Sequence, residues 1–143
     1  MVMPVFMPIV LDTNILLDIF VFNDASTVDL KVAVLNQAIR AIASPKTLDE
    51  FTEVIARPLF QLNGESQAAI LAQWRSMAEL YNDAQLDMAP WICEDADDQI
   101  FLDIAFQLRP SILISKDKAI LKLASIAAKN EVVITSRYEA FKR

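Results

Sequence analysis

Histidine is absent from this sequence of 143 residues, and glycine and cysteine each occur only once. Without histidine, the chain cannot form a Ser-His-Asp triad, a Cys-His pair or a His-ligated zinc site. The single glycine, Gly64, excludes the glycine-rich phosphate loop and the dinucleotide-binding turn. The single cysteine, Cys93, excludes an intrachain disulfide and a cysteine metal cluster. Any catalysis must therefore use carboxylates and hydroxyls, and a hard metal ion is the natural complement to such groups.

Length and charge set further bounds on the protein. A chain of this length is expected to fold as one domain over residues 1–143. Its 13 basic and 19 acidic residues give a net charge of −6, which does not attract nucleic acid without a local basic patch or bound cations. The apolar start, residues 1–11, lacks a basic flank and is too short to span a membrane. We therefore expect a cytoplasmic protein that does not engage membranes.

Short apolar runs alternate with helical periodicity along the chain. Strands are predicted at 8–11, 41–44, 112–114 and 132–134. Helices are predicted at about 15–22, 27–38, 45–56, 67–81, 98–107 and 118–129, and residues 82–96 are expected to be irregular. This alternation predicts one α/β domain, in which an open parallel sheet is covered by helices.

Aspartates follow the first predicted strand and the strand at 112–114. Because functional groups collect at the carboxyl ends of parallel strands, Asp12 and Asp117 are expected at the same edge of the sheet. Both residues also precede predicted helices, where aspartate is a favoured N-cap. A capping role and a role in a functional site are therefore both open for each of them.

An acidic run, residues 94–98, stands before the helix at 98–107. Acids at a helix N-terminus interact favourably with the helix dipole, which is a sufficient structural reason for the run. However, Asp97 and Asp98 fall on or beside the apolar face of that helix, where an ionised group is costly unless it is paired or metal-bound. Periodicity alone does not decide between a role in stabilising the helix and a role in binding a metal or a partner.

A further candidate lies on the helix that follows the second strand. Glu53 is expected to pair with Arg57 one helical turn later, whereas Glu50 has no such partner and is either solvated or functional. Several carboxylates at one sheet edge repel one another unless a cation neutralises them. Because the available ligands are oxygens, the sequence suggests a site for Mg²⁺ or Mn²⁺.

Four sequence blocks resemble those of a known family. Residues 9–15 read Ile-Val-Leu-Asp-Thr-Asn-Ile, which resembles the opening signature of PIN domains. Residues 44–58, 95–105 and 112–121 are similar, in family order, to three further blocks of a PIN subgroup of VapC-like toxin components of toxin–antitoxin systems. The resemblance implies a three-layer α/β/α sandwich with a mostly parallel central sheet.

The resemblance also implies a set of site residues. Carried over by position, the family's catalytic and metal-binding acids are Asp12, Glu50, Asp98 and Asp117. Asp98 is chosen over Asp97 because the family acid stands seven residues before the alanine matched by Ala105. Asn14 and Ser115 match polar positions that would support the bound cofactor by hydrogen-bonding the acids.

The implied activity is hydrolysis of RNA phosphodiester bonds with Mg²⁺ or Mn²⁺, by the toxin of a type II toxin–antitoxin pair. RNA, a cognate antitoxin and a second copy of the chain are the implied partners. Lys116 and Lys118 stand beside the fourth acid and are either phosphate contacts or solvated lysines. Asp103 is not required for the chemistry and is expected to be solvated.

Two other functions are compatible with parts of the sequence. A non-catalytic PIN-like module that binds protein or RNA would keep the acidic pocket for folding. A phosphatase of the haloacid-dehalogenase class would use Asp12 as its nucleophile, but that class carries a second aspartate where this chain has Asn14. The high apolar content also suggests an interface, for which Phe20, Phe22 and Trp91 are the exposed candidates.

Overall fold

Five short strands form one parallel sheet in the computed structural model, which describes residues 7–142. The strands are β1 (Pro8–Leu11), β2 (Arg40–Ala43), β3 (Glu79–Leu80), β4 (Ser111–Ile114) and β5 (Val132–Thr135). Their order is β3-β2-β1-β4-β5, and all four neighbouring pairs run parallel. The prediction of an α/β fold with a parallel sheet is thus confirmed. The single-domain prediction covers residues 1–143, of which residues 1–6 and 143 lie outside the described residues, and it stays a prediction.

Seven α-helices connect and cover these strands within the described residues. They are α1 (Thr13–Phe20), α2 (Val28–Leu35), α3 (Pro45–Ile55), α4 (Gly64–Met77), α5 (Gln99–Gln107), α6 (Lys118–Leu121) and α7 (Ala124–Ala128). The strands β1 and β2 are each followed directly by a polar residue that caps the next helix, Asp12 for α1 and Ser44 for α3. Ser44, for example, caps α3 in a reciprocal capping box with Thr47, and Pro45 occupies the first helical turn.

Two apolar clusters cover the two faces of the sheet. Ile9 and Leu11 of β1 pack into a cluster with α1 and α3, whereas Val10 packs into a second cluster with α5. This alternation follows from the two-residue period of a strand, and it leaves both faces of β1 buried. The fold is therefore the three-layer α/β/α sandwich that the family resemblance implied.

Two element predictions were wrong. The helix expected over 67–81 ends at Met77, and residues 79–80 form the edge strand β3, whose Glu79 makes a bidentate ion pair with Arg40 of β2. The helix expected over 118–129 is divided into α6 and α7 at Lys122 and Leu123. No glycine or proline marks either break in the sequence. The helical periodicity therefore predicted a continuous helix across both.

The expected exposed aromatic residues are mostly buried. Trp91 is 4% exposed and Phe20 is 7% exposed, so the prediction that they form an interface is wrong for both. Phe20 packs against Trp74 at the centre of one cluster, and Trp91 meets the ring of Phe106 edge-on. Phe22 remains a candidate, since it is 58% exposed.

Across residues 7–142, every helix falls short of the length and apolar character that a bilayer crossing demands.

Candidate functional site

The central strands β1 and β4 deliver two polar residues to the same edge of the sheet. The amide of Asp12 donates to the carbonyl of Ile114 at 3.2 Å, so the two strands end side by side. Oδ1 of Asp12 accepts from the amide of Ile15 at 3.0 Å and caps α1. Its Oδ2 accepts a hydrogen bond from the buried hydroxyl of Ser115. Asp12 is therefore both a helix cap and part of the cluster at this edge.

Ser115 also connects Asp12 to the acid that follows β4. Its hydroxyl oxygen accepts from the amide of Asp117 at 3.0 Å while its hydrogen is donated to Asp12. Asp117 in turn caps α6 by accepting from the amide of Ala119 at 2.8 Å. One hydroxyl thus links the carboxylate of Asp12 to the backbone of Asp117, 105 positions later in the chain, as the parallel arrangement of β1 and β4 allows.

The turn before α5 brings further carboxylates to the site. Asp95 accepts from the amide of Asp97 and begins a 3₁₀ turn, Ala96–Asp98, which leads directly into α5. One carboxylate oxygen each from Asp95, Asp98 and Asp117 lies within 4.8 Å of the others. Asp97 is exposed and does not belong to this trio. The structure thus places Asp98, and not Asp97, beside Asp117.

Glu50 reaches the site from α3. Its Oε2 accepts a 2.7 Å hydrogen bond from the hydroxyl of Thr13, the residue after Asp12. Burial is the main reason that the pKa of Glu50 is raised, and the hydrogen bond from Thr13 partly opposes this shift. The four acids carried over from the family resemblance thus come from four separate parts of the chain.

The acids described above border one open cleft of about 410 Å³. Its lining contains six acids, which are Asp12, Glu50, Asp95, Asp97, Asp98 and Asp117. The rest of the lining consists of polar, apolar and basic side chains, namely Thr13, Asn14, Leu17, Val54, Arg57, Leu59 and Phe60. So many carboxylates in one cleft create a strongly negative potential.

Two of these acids have strongly raised pKa values. Burial raises the pKa of Asp12 to about 6, against the opposing hydrogen bonds from Ser115 and Ile15. Burial raises the pKa of Asp98 to about 8, helped by a hydrogen bond that its protonated form would donate to Asp117 and by repulsion from the ionised Asp117 carboxylate. Near neutral pH, the cluster is therefore more stable when it binds a proton or a cation than when all its carboxylates are ionised and unpaired.

The donor set fits a small divalent cation. Oδ2 of Asp98 is buried and has no hydrogen-bond donor within residues 7–142, which is a costly state for a carboxylate oxygen. Mg²⁺ binds carboxylate oxygens at about 2.1 Å, so that two of its ligands lie up to about 4 Å apart. The spacing in the trio of Asp95, Asp98 and Asp117 is close to this range, and all its ligands are hard oxygens.

Three sequence-based expectations about neighbouring residues are not met or are changed. Asn14 borders the cleft, but it is exposed and makes no side-chain hydrogen bond to the acids within the described residues. Lys116 does not point its charge to the cluster, since its Nζ pairs with the buried carboxylate of Asp18 at 2.5 Å. Asp103 is half-buried rather than solvated, and its Oδ1 accepts from Ala89 and Gln99.

Asp95 and Thr13 are site residues that sequence reasoning did not select. Asp95 lies within the acidic run, but nothing in the spacing of that run separates it from its neighbours. Thr13 is part of the Asp-Thr-Asn signature, yet its contact with Glu50 depends on how α1 and α3 pack. Only the packed structure reveals these two roles.

Comparison with known families gives one match. A family model described as PIN domain matches residues 8–119, which is well over half of the chain. The matched range contains all four acids carried over from the sequence resemblance, together with Asp95. No curated protein matches the chain significantly.

Proposed function

This chain belongs to the PIN domain family, and from that membership we propose that it is an endoribonuclease that hydrolyses RNA phosphodiester bonds. PIN domains are in general metal-dependent nucleases; RNA as the substrate and Mg²⁺ or Mn²⁺ as the ion are our proposals. The observation that carries them is the convergence of the Asp95, Asp98 and Asp117 carboxylates, together with a buried Oδ2 of Asp98 that has no donor among residues 7–142.

We assign the ion to the acids at the sheet edge. Asp98 and Asp117 would hold it, with Asp95 beside them and Asp12 completing the carboxylate cluster. When bound, a divalent ion lowers the pKa of a water molecule and stabilises negative charge on the leaving oxygen. Its charge would also offset the repulsion among the acids, which is the main obstacle to bringing an RNA phosphate into this cleft.

The remaining polar residues would position these acids and the attacking water. Thr13 holds Oε2 of Glu50, which leaves Oε1 of that residue to accept a hydrogen bond from the water or to bind the ion. Ser115 holds Oδ2 of Asp12 and fixes the orientation of its carboxylate. Hydrogen bonds of this kind keep metal-binding groups in place and increase their affinity.

We further propose that the protein is the toxin of a toxin–antitoxin pair, that it acts in the cytoplasm and that it forms a homodimer. An exposed apolar stripe on α2, formed by Val28, Val32 and Leu35, supports an interface with another protein. Its members are four and three residues apart and therefore share one side of the helix. Sedimentation measurements on the isolated protein would test the dimer, and co-purification with the product of a neighbouring gene would test the antitoxin.

RNA cleavage by substituted proteins tests the nuclease assignment. Asp12→Asn and Asp98→Asn should each lower the cleavage rate with Mg²⁺ or Mn²⁺ by about 100-fold or more. Glu94→Gln is the matched control, since Glu94 stands in the same acidic run but pairs with Lys122 at 2.6 Å and does not line the cleft. Cleavage that survives both aspartate substitutions would refute the assignment.

A calorimetric titration separates the nuclease from a non-catalytic binding module. The proposed enzyme should bind Mn²⁺ saturably at neutral pH, and Asp98→Asn should abolish that binding. The net charge of −6 is the observation that favours the alternative, because it disfavours nucleic acid in the absence of bound cations. A folded protein without saturable Mn²⁺ binding would favour the binding module.

A further inference from the structure

A short segment directly after α3 forms part of the rim of the acidic cleft. Residues 57–60 contain Arg57 and a 3₁₀ turn, Pro58–Phe60, and three of these residues line the cleft together with the acids. Arg57 is the only basic side chain among the described residues of that lining. One stretch of four residues thus presents a cation and apolar surface beside a site proposed to act on RNA.

Exposed apolar side chains lie on this rim and next to it. Leu59 is 77% exposed and Phe22 is 58% exposed. The ring of Phe22 packs against that of Phe60, with centroids 5.9 Å apart and planes inclined by 53°. We call Phe22, Leu59 and Phe60 the apolar ledge. Exposed apolar side chains grouped at the mouth of a polar cleft are typical of a surface that binds a partly apolar ligand.

We propose that the apolar ledge binds an unpaired base of the substrate next to the scissile phosphate, while Arg57 contacts a neighbouring phosphate. This inference rests on the proposed nuclease function and adds the subsite that would hold the base next to the scissile phosphate. A phosphodiester held at the acids carries a nucleoside on each side. Leu59 and Phe60 of the ledge line the same cleft, and Phe22 adjoins them through its contact with Phe60. The flat face of a base is the apolar part of RNA, and its phosphate is the part that a cation attracts.

The charges on the rim favour RNA over a protein segment as the occupant. Arg57 is bound to Glu53 by two hydrogen bonds, of 3.2 and 2.9 Å, but both side chains are more than half exposed. An exposed ion pair of this kind stabilises the protein little, so a phosphate can share or replace the glutamate. Arginine is well suited to this exchange because its planar guanidinium binds phosphate through two donors.

The ledge also implies a requirement on the structure of the RNA. A base can lie on apolar side chains only when it is unstacked and unpaired, as in a loop or an open strand. In a duplex, both faces of the base are covered by its neighbours. We therefore expect cleavage of an unstructured RNA and loss of cleavage when a complementary strand is annealed.

Steady-state cleavage by Leu59→Ala and Phe22→Ala tests the subsite. Each variant should lower kcat/KM on the unstructured RNA by about tenfold, within the range found for loss of one base-stacking contact. On an RNA that lacks the base beside the mapped cleavage site, the variants and the native protein should cleave equally well. Ile126→Ala is the matched control, since Ile126 is 48% exposed on α7 and does not line the cleft.

RNA affinity provides a readout that does not depend on cleavage. With Mn²⁺ present and the acids left intact, fluorescence anisotropy with a labelled, non-cleavable analogue of the same RNA should show a similar weakening with Leu59→Ala. Unchanged affinity and unchanged kcat/KM in both ledge variants would overturn the subsite and leave the ledge to a protein partner. If the native protein cleaves no RNA with either metal, the proposed function fails instead, so the two failures are distinguishable.

Discussion

The hydroxyl of Thr13 donates a 2.7 Å hydrogen bond to Oε2 of Glu50, a residue 37 positions further along the chain. Thr13 is buried in the first turn of α1, next to the helix cap Asp12. The bond therefore fixes the carboxylate brought by α3 relative to the carboxylate at the end of β1. Two acids that come from different elements are aligned by one hydroxyl between them.

Replacing this hydroxyl should weaken the site without dismantling it. Thr13→Val keeps the shape of the side chain but leaves Glu50 without its donor. We expect about a tenfold loss in Mn²⁺ affinity and a comparable loss in cleavage rate, as is typical when a group that orients a metal ligand is removed. Thr13→Ser retains the hydroxyl and should stay within about threefold of the native protein. Equal effects of the two substitutions would mean that the hydrogen bond has no such role.

The stability of the metal-free protein should depend on pH through Asp98 and Asp12. Their pKa values are raised from 3.8 to about 8 and about 6, so both bind a proton more tightly in the folded state than in the unfolded state. Their contribution to stability is complete below pH 3.8 and is lost as the pH rises through 6 and then 8. Asp98→Asn mimics the protonated form and should melt a few degrees higher than the native protein at pH 8.5.

The test compares the melting temperatures of Asp98→Asn and the native protein at two pH values. Thermal unfolding at pH 5 and pH 8.5 should show the gap between Asp98→Asn and the native protein widening with pH. Addition of Mg²⁺ at pH 8.5 should stabilise the native protein and not the variant, because only the native protein retains the ligand. A gap that is the same at both pH values would contradict a raised pKa for Asp98.

Gln99 holds the loop that leads into the acidic run. Its Oε1 accepts from the amide of Cys93 at 2.7 Å, and its Nε2 donates to the carbonyl of Trp91 at 2.9 Å and to Asp103 at 3.1 Å. Gln99→Ala would leave two partly buried backbone groups without partners, which should cost about 2–3 kcal/mol in the free energy of unfolding. Denaturant unfolding measures this cost.

The same helix provides a matched control for that loss. Gln107 makes only one exposed hydrogen bond, to the amide of Asp87. Gln107→Ala should therefore change the free energy of unfolding by no more than about 0.5 kcal/mol. Faster hydrogen exchange at the Cys93 amide in Gln99→Ala alone would locate the effect in the loop. Similar losses of unfolding free energy in both variants would contradict a stabilising role for the Gln99 hydrogen bonds.

Tyr138 should contribute to stability through a buried acid on α1. Its hydroxyl donates to Oδ2 of Asp18 at 2.6 Å, and the same oxygen pairs with Lys116. Tyr138→Phe removes a hydrogen bond to a charged acceptor and should cost about 1.5–3 kcal/mol in the free energy of unfolding. Lys116→Met should also destabilise the protein, since it removes the counter-charge of Asp18. A loss below about 0.5 kcal/mol in Tyr138→Phe would show that water replaces the phenol at Asp18.

Much of the fold followed from local patterns in the sequence. Apolar runs closed by a polar residue located β1 and β4, and parallel pairing then brought Asp12 and Asp117 to one edge. The choice between Asp97 and Asp98 did not follow from periodicity, because both stand near the apolar face of α5. The family resemblance selected Asp98, and the structure places that residue in the trio with Asp117.

The errors share a physical origin. The two-residue strand β3 is specified by its partner β2 and by the Arg40–Glu79 ion pair, so its own sequence carries little signal. Trp91 lies in an irregular loop, where no period indicates which side chains face inward. Asp103 accepts from the amide of Ala89 only when that loop folds over α5. Contacts between distant segments decide these features.

The placement of β4 between β1 and β5 has a consequence for synthesis of the protein. Because Asp12 leaves the ribosome early and Asp117 late, a nascent chain holds an incomplete set of ligands until β4 has been translated and inserted beside β1. A translation product that stops before residue 115 lacks both the serine that orients Asp12 and the last carboxylate. Competence to bind the ion thus arrives in a single late event, after more than three quarters of the polypeptide has been made.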